Sequence, residues 1–242
     1  MKALTKTVAA LDIETRSRPK EAAFAGLIPI MTTFAFAAIV PEHELPYLFI
    51  GKMGVMSQVD SGNFHSDPDT ENWWLTSERI AQAVRESQLR TWNNAEPLYA
   101  MVGPVLNDVF NTGSTMSFIG SRQFEDVSQI FRRHLGKEPH VLGNGPEFDM
   151  GIFDLHFPDH KVYRFTEVGS ARTLKWLARQ RFSPETYGYL VKNAEEYAKW
   201  VFSNLPKSLI EHFDLVPNYH DALFDALAEA HLSHAILTDA IN

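Results

Sequence analysis

The stretch Thr7-Val8-Ala9-Ala10-Leu11-Asp12-Ile13-Glu14-Thr15 begins apolar and ends in acid. An apolar run of this length predicts a buried strand over 7–11 whose C-terminal end delivers Asp12 and Glu14. Side chains alternate along a strand with a period of two, so both carboxylates project to one side and share a small volume. Taken alone, an Asp-x-Glu is more often a polar strand end in water than a site.

Working outward, residues 32–40 and 45–50 are rich in β-formers and flank Pro41-Glu42-His43-Glu44, which predicts a strand pair joined by a turn. From 51 to 70 the chain turns polar, and Gly54, Gly62, Asn63 and Pro68 break any pattern, so a loop that carries function is expected. Asp69-Thr70 opens a helix containing Trp73-Trp74. Ser77 is a cap for a second helix bearing Ile80, Ala81, Val84 and Leu89, and a third is expected over 97–110.

A strand over 115–119, an amphipathic helix over 124–135 and a short strand over 140–142 follow. That strand leads into Gly143-Asn144-Gly145-Pro146, where Pro suits the first turn of a helix. A strand over 164–168 precedes helices over 172–180, 184–203 and 207–212, and a last helix runs from Asp221 to the end. The pattern predicts one α/β domain over 1–242, a mixed sheet covered by helices.

Composition narrows the chemistry. The 242 residues include no cysteine, which excludes disulfides, thiolate metal sites and cysteine nucleophiles. Any metal must be held by carboxylate, imidazole or carbonyl groups, and a reducing, cytoplasmic compartment is expected. Asp12 and Glu14 interrupt the first apolar run as no secretory leader tolerates. The longest apolar stretch, 27–40, contains Pro29, Thr32 and Thr33 and is too short to span a bilayer. The net charge of −8 argues against a broad basic face that coats duplex DNA.

Two further elements carry acids. In Gly143-Asn144-Gly145-Pro146-Glu147-Phe148-Asp149 a strand-to-helix turn places Asp149 beside an aromatic, a position that the helix dipole also favours for any acid. In His220-Asp221-Ala222-Leu223-Phe224-Asp225 the histidine and the last aspartate lie five apart and do not share a helix face. His220 therefore precedes the helix while Asp225 projects from it, with Asp221 or Asn218 as the cap.

In order, spacing and local sequence the three elements resemble the exonuclease motifs of the DEDDh branch of DnaQ-like 3′-to-5′ exonucleases. Asp12 and Glu14, Asp149, His220 and Asp225 match the family's pattern. The resemblance covers most of the chain and implies a ribonuclease H-like fold with a mixed five- or six-stranded sheet. It is nearest to the subgroup of phage exonuclease A and the mycobacterial exoribonucleases. Asp69-Thr70-Glu71-Asn72-Trp73-Trp74 looks like that subgroup's tryptophan pair and Ala171-Arg172-Thr173-Leu174 like its Arg-Thr-Leu segment. The sequence after Thr15 and the stretch 51–67 depart from it.

The resemblance implies phosphodiester hydrolysis with two Mg²⁺ or Mn²⁺ ions, which prefer hard oxygen ligands. Asp12 would bridge the ions, Glu14, Asp149 and Asp225 complete their shells, and His220 accept the water's proton. Two such ions would bring the formal charge from −8 to −4. Candidates for gripping the terminal nucleotide are Thr15, Trp73, Trp74, Phe148 and Arg172, with core packing the alternative for the tryptophans and a surface ion pair for Arg172. The expected partner is a nucleic-acid 3′ end. RNA is favoured by the subgroup likeness, and single-stranded DNA or a short oligonucleotide is the alternative. A reading of another class is a non-catalytic binding or inhibitor module on the same fold, which would be expected to have lost an acid or the histidine.

Overall fold

The computed structural model describes residues 6–41, 43–104, 116–145 and 147–241. The chain begins with β1 (Val8–Thr15), α1 (Pro19–Phe24), β2 (Ile28–Pro29), β3 (Met31–Ile39), β4 (Tyr47–Lys52), α2 (Val55–Ser61) and β5 (Phe64–His65). Next come α3 (Pro68–Thr76), α4 (Gln82–Trp92), β6 (Leu98–Gly103), β7 (Ser117–Ser121), α5 (Phe124–Leu135), β8 (His140–Gly143) and α6 (Asp149–His156). A 3₁₀ turn (Phe165–Glu167) leads into β9 (Val168–Ser170), α7 (Ala171–Arg181), α8 (Pro184–Asn204), α9 (Lys207–Phe213) and α10 (Ala222–Ile241).

The main sheet has seven strands in the order β7-β6-β4-β3-β1-β8-β9, and β2 pairs with β5 in a small second sheet. From β7 to β1 every neighbour is antiparallel, whereas β1, β8 and β9 run parallel. β1 therefore joins the two halves. No helix among the described residues is long and apolar enough to cross a membrane.

The two faces of the sheet differ in side-chain size, and β3 shows why. Phe34 and Phe36 point to one face, where Phe49, Phe131 and Phe153 join a dense aromatic core under α5 and α6. Ala35 and Ala37, one residue out of phase, point to the other. There they meet Ala10 of β1 and Ala222, Ala226 and Ala230 of α10 in one buried cluster. Small residues on both surfaces let α10 lie close against β1 and β3.

Several sequence expectations require correction. The region 97–110 was expected to be helical, but Leu98–Gly103 is the strand β6, bonded to β4 and β7; residues 105–110 lie outside the described residues. Both faces of β6 are buried, so its six residues lack the apolar–polar alternation that marks a strand. β6 also brings the sheet to seven strands rather than five or six.

The expected loop over 51–70 contains α2 and β5. Its helix is held by Gln58, whose amide accepts from the Met31 N–H at 3.1 Å and donates to the Met31 carbonyl at 2.8 Å. Gly62 at φ 72 then stops it in the left-handed region. Ser77 ends α3 rather than starting α4, because Arg85 reaches back to the Trp74 and Ser77 carbonyls and occupies the turn between them. The strand expected over 164–168 is mostly a 3₁₀ turn, drawn in by Glu167, which accepts from the Arg164 N–H and from both arms of Arg132. α6 starts at Asp149, and Pro146 and Thr115, where a helix and a strand were expected to begin, lie outside the described residues.

The close seat of α10 is testable. Ala226→Leu inserts three heavy atoms into a fully buried site and is expected to cost about 1–3 kcal/mol in urea unfolding. On the aromatic face Gly51→Ala would place a Cβ 2.0 Å from the Phe34 ring, and a comparable loss is expected. Unchanged midpoints would mean that these surfaces have room to spare.

Candidate metal centre

The parallel run of β1, β8 and β9 brings three C-terminal strand ends to one edge of the sheet. Leu11 pairs with Gly143, so Asp12, still within β1 and paired with Ala35 of β3, lies level with the turn that follows β8. That turn carries Asn144, Gly145 and, at the head of α6, Asp149. α10 starts at the same edge, because its far end packs with Val8 at the opposite end of β1 through Leu237. Asp225, in the first turn of α10, therefore faces the acids of β1.

Glu14, His220 and Asp225 each present a ligand atom within 4.8 Å of the other two. Asp12 and Asp149 stand outside this trio but close enough that Asp225 and Asp149 both disfavour the charged form of Asp12. Asp149 is nearly buried, and its Oδ2 accepts from the Gly145 N–H at 3.1 Å. The five residues selected from the sequence thus gather at one edge, with the trio tightest.

The approach of His220 depends on a local backbone device. Its φ is 66, a left-handed conformation that costs a non-glycine residue energy. Asp221 supplies the compensation. Its Oδ1 accepts from the N–H groups of Leu223 (3.1 Å) and Phe224 (3.3 Å), capping α10, while Oδ2 accepts from Val216 at 2.8 Å. Asp221 rather than Asn218 is therefore the cap. The His220 N–H donates to Asp225 Oδ2 at 2.9 Å, tying histidine to acid. The His220 ring meets Trp73 edge-on at 5.3 Å, which limits its rotation.

Burial and crowding push every acid towards its neutral form. Desolvation, followed by the Asp225 charge for Asp12 and the Asp12 charge for Glu14, raises both well above the usual carboxylate range. Burial raises Asp149 to about 6 despite the amides of Gly145 and Asn144, and Asp225 to about 7 despite the His220 amide. His220 is shifted the other way, below its ordinary value, by burial and then by Arg79. Both effects favour the neutral imidazole.

A divalent cation fits this donor set. The oxygens are hard, mutually repelling and poorly solvated, and Asp225 Oδ1 is buried with no hydrogen-bond partner among the described residues. Glu14 and Asp225 are near enough to share an ion, with a His220 ring nitrogen within 4.8 Å of both, and Asp12 lies within electrostatic reach of Asp225 and Asp149.

The residues expected to grip substrate divide. Trp74 is 2% exposed, packs with Ile80 and Val84, and donates from Nε1 to the Thr15 carbonyl at 2.9 Å. It bolts α3 to the end of β1 and offers only its small exposed margin to the cavity that Trp73 lines. Trp73 is 39% exposed and, with the half-buried Phe148, lines a cavity of about 510 Å³ that opens beside Glu14. Thr15 lines it too, but its hydroxyl is already given to the Ser17 carbonyl at 2.8 Å. Arg172 is exposed, 3.9 Å from Glu147, and its charge eases the ionisation of Asp149.

Three residues of the centre were not selected from sequence. Glu229 adds negative charge against Asp12, Asp149 and Asp225, and Lys175 bonds Glu229 and, at 2.8 Å, Asn144 Oδ1. Glu229 lies four residues after Asp225 on one helix face, a spacing legible in the sequence. Nothing local marks Lys175 or Asn144.

The raised acids predict a pH dependence. Without a cation the folded protein binds more protons than the unfolded chain between about pH 4 and 7, so these groups stabilise the fold in acid and lose that contribution as pH rises through 7. Thermal unfolding in chelator should therefore show Tm falling from pH 5 to pH 8, and Mn²⁺ should raise Tm more at pH 8 than at pH 5. Equal Mn²⁺ shifts at both pH values would contradict this account of the acids.

Comparison with protein-family models, with curated proteins and with solved structures finds no match to this chain.

Proposed function

We propose that this protein is a metal-dependent 3′-to-5′ exonuclease of the DEDDh type on a ribonuclease H-like fold, acting on RNA ends. The observation that carries the proposal is the convergence of Asp12, Glu14, Asp149, His220 and Asp225, from three distant segments, on one sheet edge beside an aromatic cavity. Fold alone supports many chemistries, so the assignment rests on this site and on the motif resemblance. The preference for RNA rests on the tryptophan pair and the Arg172-Thr173-Leu174 segment.

Two divalent cations, held by Asp12, Glu14, Asp149 and Asp225, would neutralise charge on the phosphoryl oxygens and the departing 3′-oxygen. The chain's own groups do the rest. Neutral His220 accepts a proton from the attacking water, whose oxygen bonds to phosphorus as the bond to the 3′-oxygen breaks. The 3′-oxygen takes a proton from solvent. A nucleoside 5′-monophosphate leaves, and the strand is one residue shorter with a free 3′-hydroxyl. Trp73 and Phe148 offer the terminal base a face on which to stack, which suits a substrate of any sequence.

Matched end-labelled RNA and DNA oligomers, incubated with Mg²⁺, Mn²⁺ or chelator, test the proposal. Stepwise shortening from the 3′ end, faster on RNA and abolished by chelator, is expected. His220→Ala should lower the rate by about 10²–10⁴-fold and Asp12→Ala should leave no detectable product. A wild type inert with both ions, or an Asp12→Ala protein of full activity, would favour a non-catalytic module. Faster loss of DNA would overturn the RNA assignment.

A further inference from the structure

A second cavity, of about 470 Å³, also borders the acids but shares no lining residue with the Trp73 cavity. Asp12 and Asp225 line it, as do Asn144, Lys175, Arg179 and Tyr187. The acids thus border two chambers. Glu14 faces the first, with His220 beside it against Trp73, and Asp12 and Asp225 face the second. The chambers differ in chemistry. The first holds Trp73, Trp74 and Phe148 and one cation, Arg18, which is paired with Glu21 and Asp67, whereas the second carries two cations one helical turn apart on α7 together with Glu229.

Those cations are not equivalent. Lys175 is engaged with Glu229 and Asn144. Arg179 is exposed, lies 5.2 Å over the Tyr187 ring and has no carboxylate partner among the described residues. An arginine held by an aromatic face, with its donors open to a cavity, suits a phosphate.

In-line displacement at phosphorus then decides which part of a strand each chamber takes. The attacking and leaving oxygens lie on opposite sides of the phosphorus. His220, which receives the water's proton, stands on the Trp73 side, so the departing 3′-oxygen faces the Arg179 side. Resting on the exonuclease assignment above, we infer that the Arg179 chamber binds the strand 5′ of the scissile bond. In this arrangement Arg179 holds the next backbone phosphate and Tyr187 lies beside the penultimate nucleoside. The terminal nucleotide occupies the Trp73 chamber. Arg179 is then a residue that distinguishes a strand from a mononucleotide.

Equilibrium binding of a uridine trinucleotide and of uridine 5′-monophosphate, measured with Ca²⁺ present, tests this for wild type, Arg179→Ala and Arg179→Lys. Arg179→Ala should weaken the trinucleotide about tenfold and leave the monophosphate unchanged. It should also reduce the slope of log affinity against log salt by about 0.7, the loss of one phosphate contact to a single strand. Arg179→Lys should retain that slope. A trinucleotide affinity within twofold of wild type, or equal weakening of both ligands, overturns the strand path while wild-type digestion of RNA in Mg²⁺ leaves the exonuclease assignment standing. A wild type that binds neither ligand and digests no oligomer overturns both.

Discussion

α10 lies close against β1 and β3 because small residues face one another across the contact. Ala10, Ala35 and Ala37 present almost no side chain on that face of the sheet, and Ala222, Ala226 and Ala230 present little on the helix. A larger residue on either surface would hold the helix axis further out and carry Asp225 away from Asp12 and Glu14. The aromatic core on the opposite face makes the sheet a firm platform for this contact. Packing on both faces therefore determines the distance between acids that come from opposite ends of the chain.

That proximity works against charge. Burial raises the pKa of all four carboxylates, and the charges of neighbouring acids, Glu229 among them, add to the effect. What keeps them together is a set of fixed donors and tethers: the Gly145 amide on Asp149, the His220 amide on Asp225, and the Lys175 ammonium on Glu229. Asp221 anchors the start of α10 and holds His220 in its left-handed turn. The arrangement leaves Asp225 Oδ1 buried with no hydrogen-bond partner among the described residues, an acceptor that the proposed cation would satisfy.

The aromatic side of the centre depends on Trp74, although Trp73 is the residue that faces open space. By donating to the Thr15 carbonyl, Trp74 joins α3 to the strand end that carries Glu14. Arg16, paired with Glu71 of α3 and lying 4.6 Å over the Trp92 ring, adds a second tie to the same corner. The helix that presents Trp73 to His220 is thus fastened to the strand that presents the acids, so the two walls of the chamber are positioned together.

The sequence by itself determined what depends on near neighbours. β1, β3, β4, α5 and α8 were legible because their apolar runs and periods are local properties, and Asp12, Glu14, Asp149, His220 and Asp225 stood out by spacing and motif. β6 was not legible, since a strand buried on both faces has the hydropathy of a buried helix, and neither was α2, which depends on the distant Met31 backbone. Tertiary structure alone separated Trp73 from Trp74, adjacent residues of one type with opposite exposures, and added Lys175 and Asn144 to the centre. Local pattern reflects the backbone's own preferences, but burial, pKa and partner choice are decided by which residues, remote in the chain, come to lie a few ångströms apart.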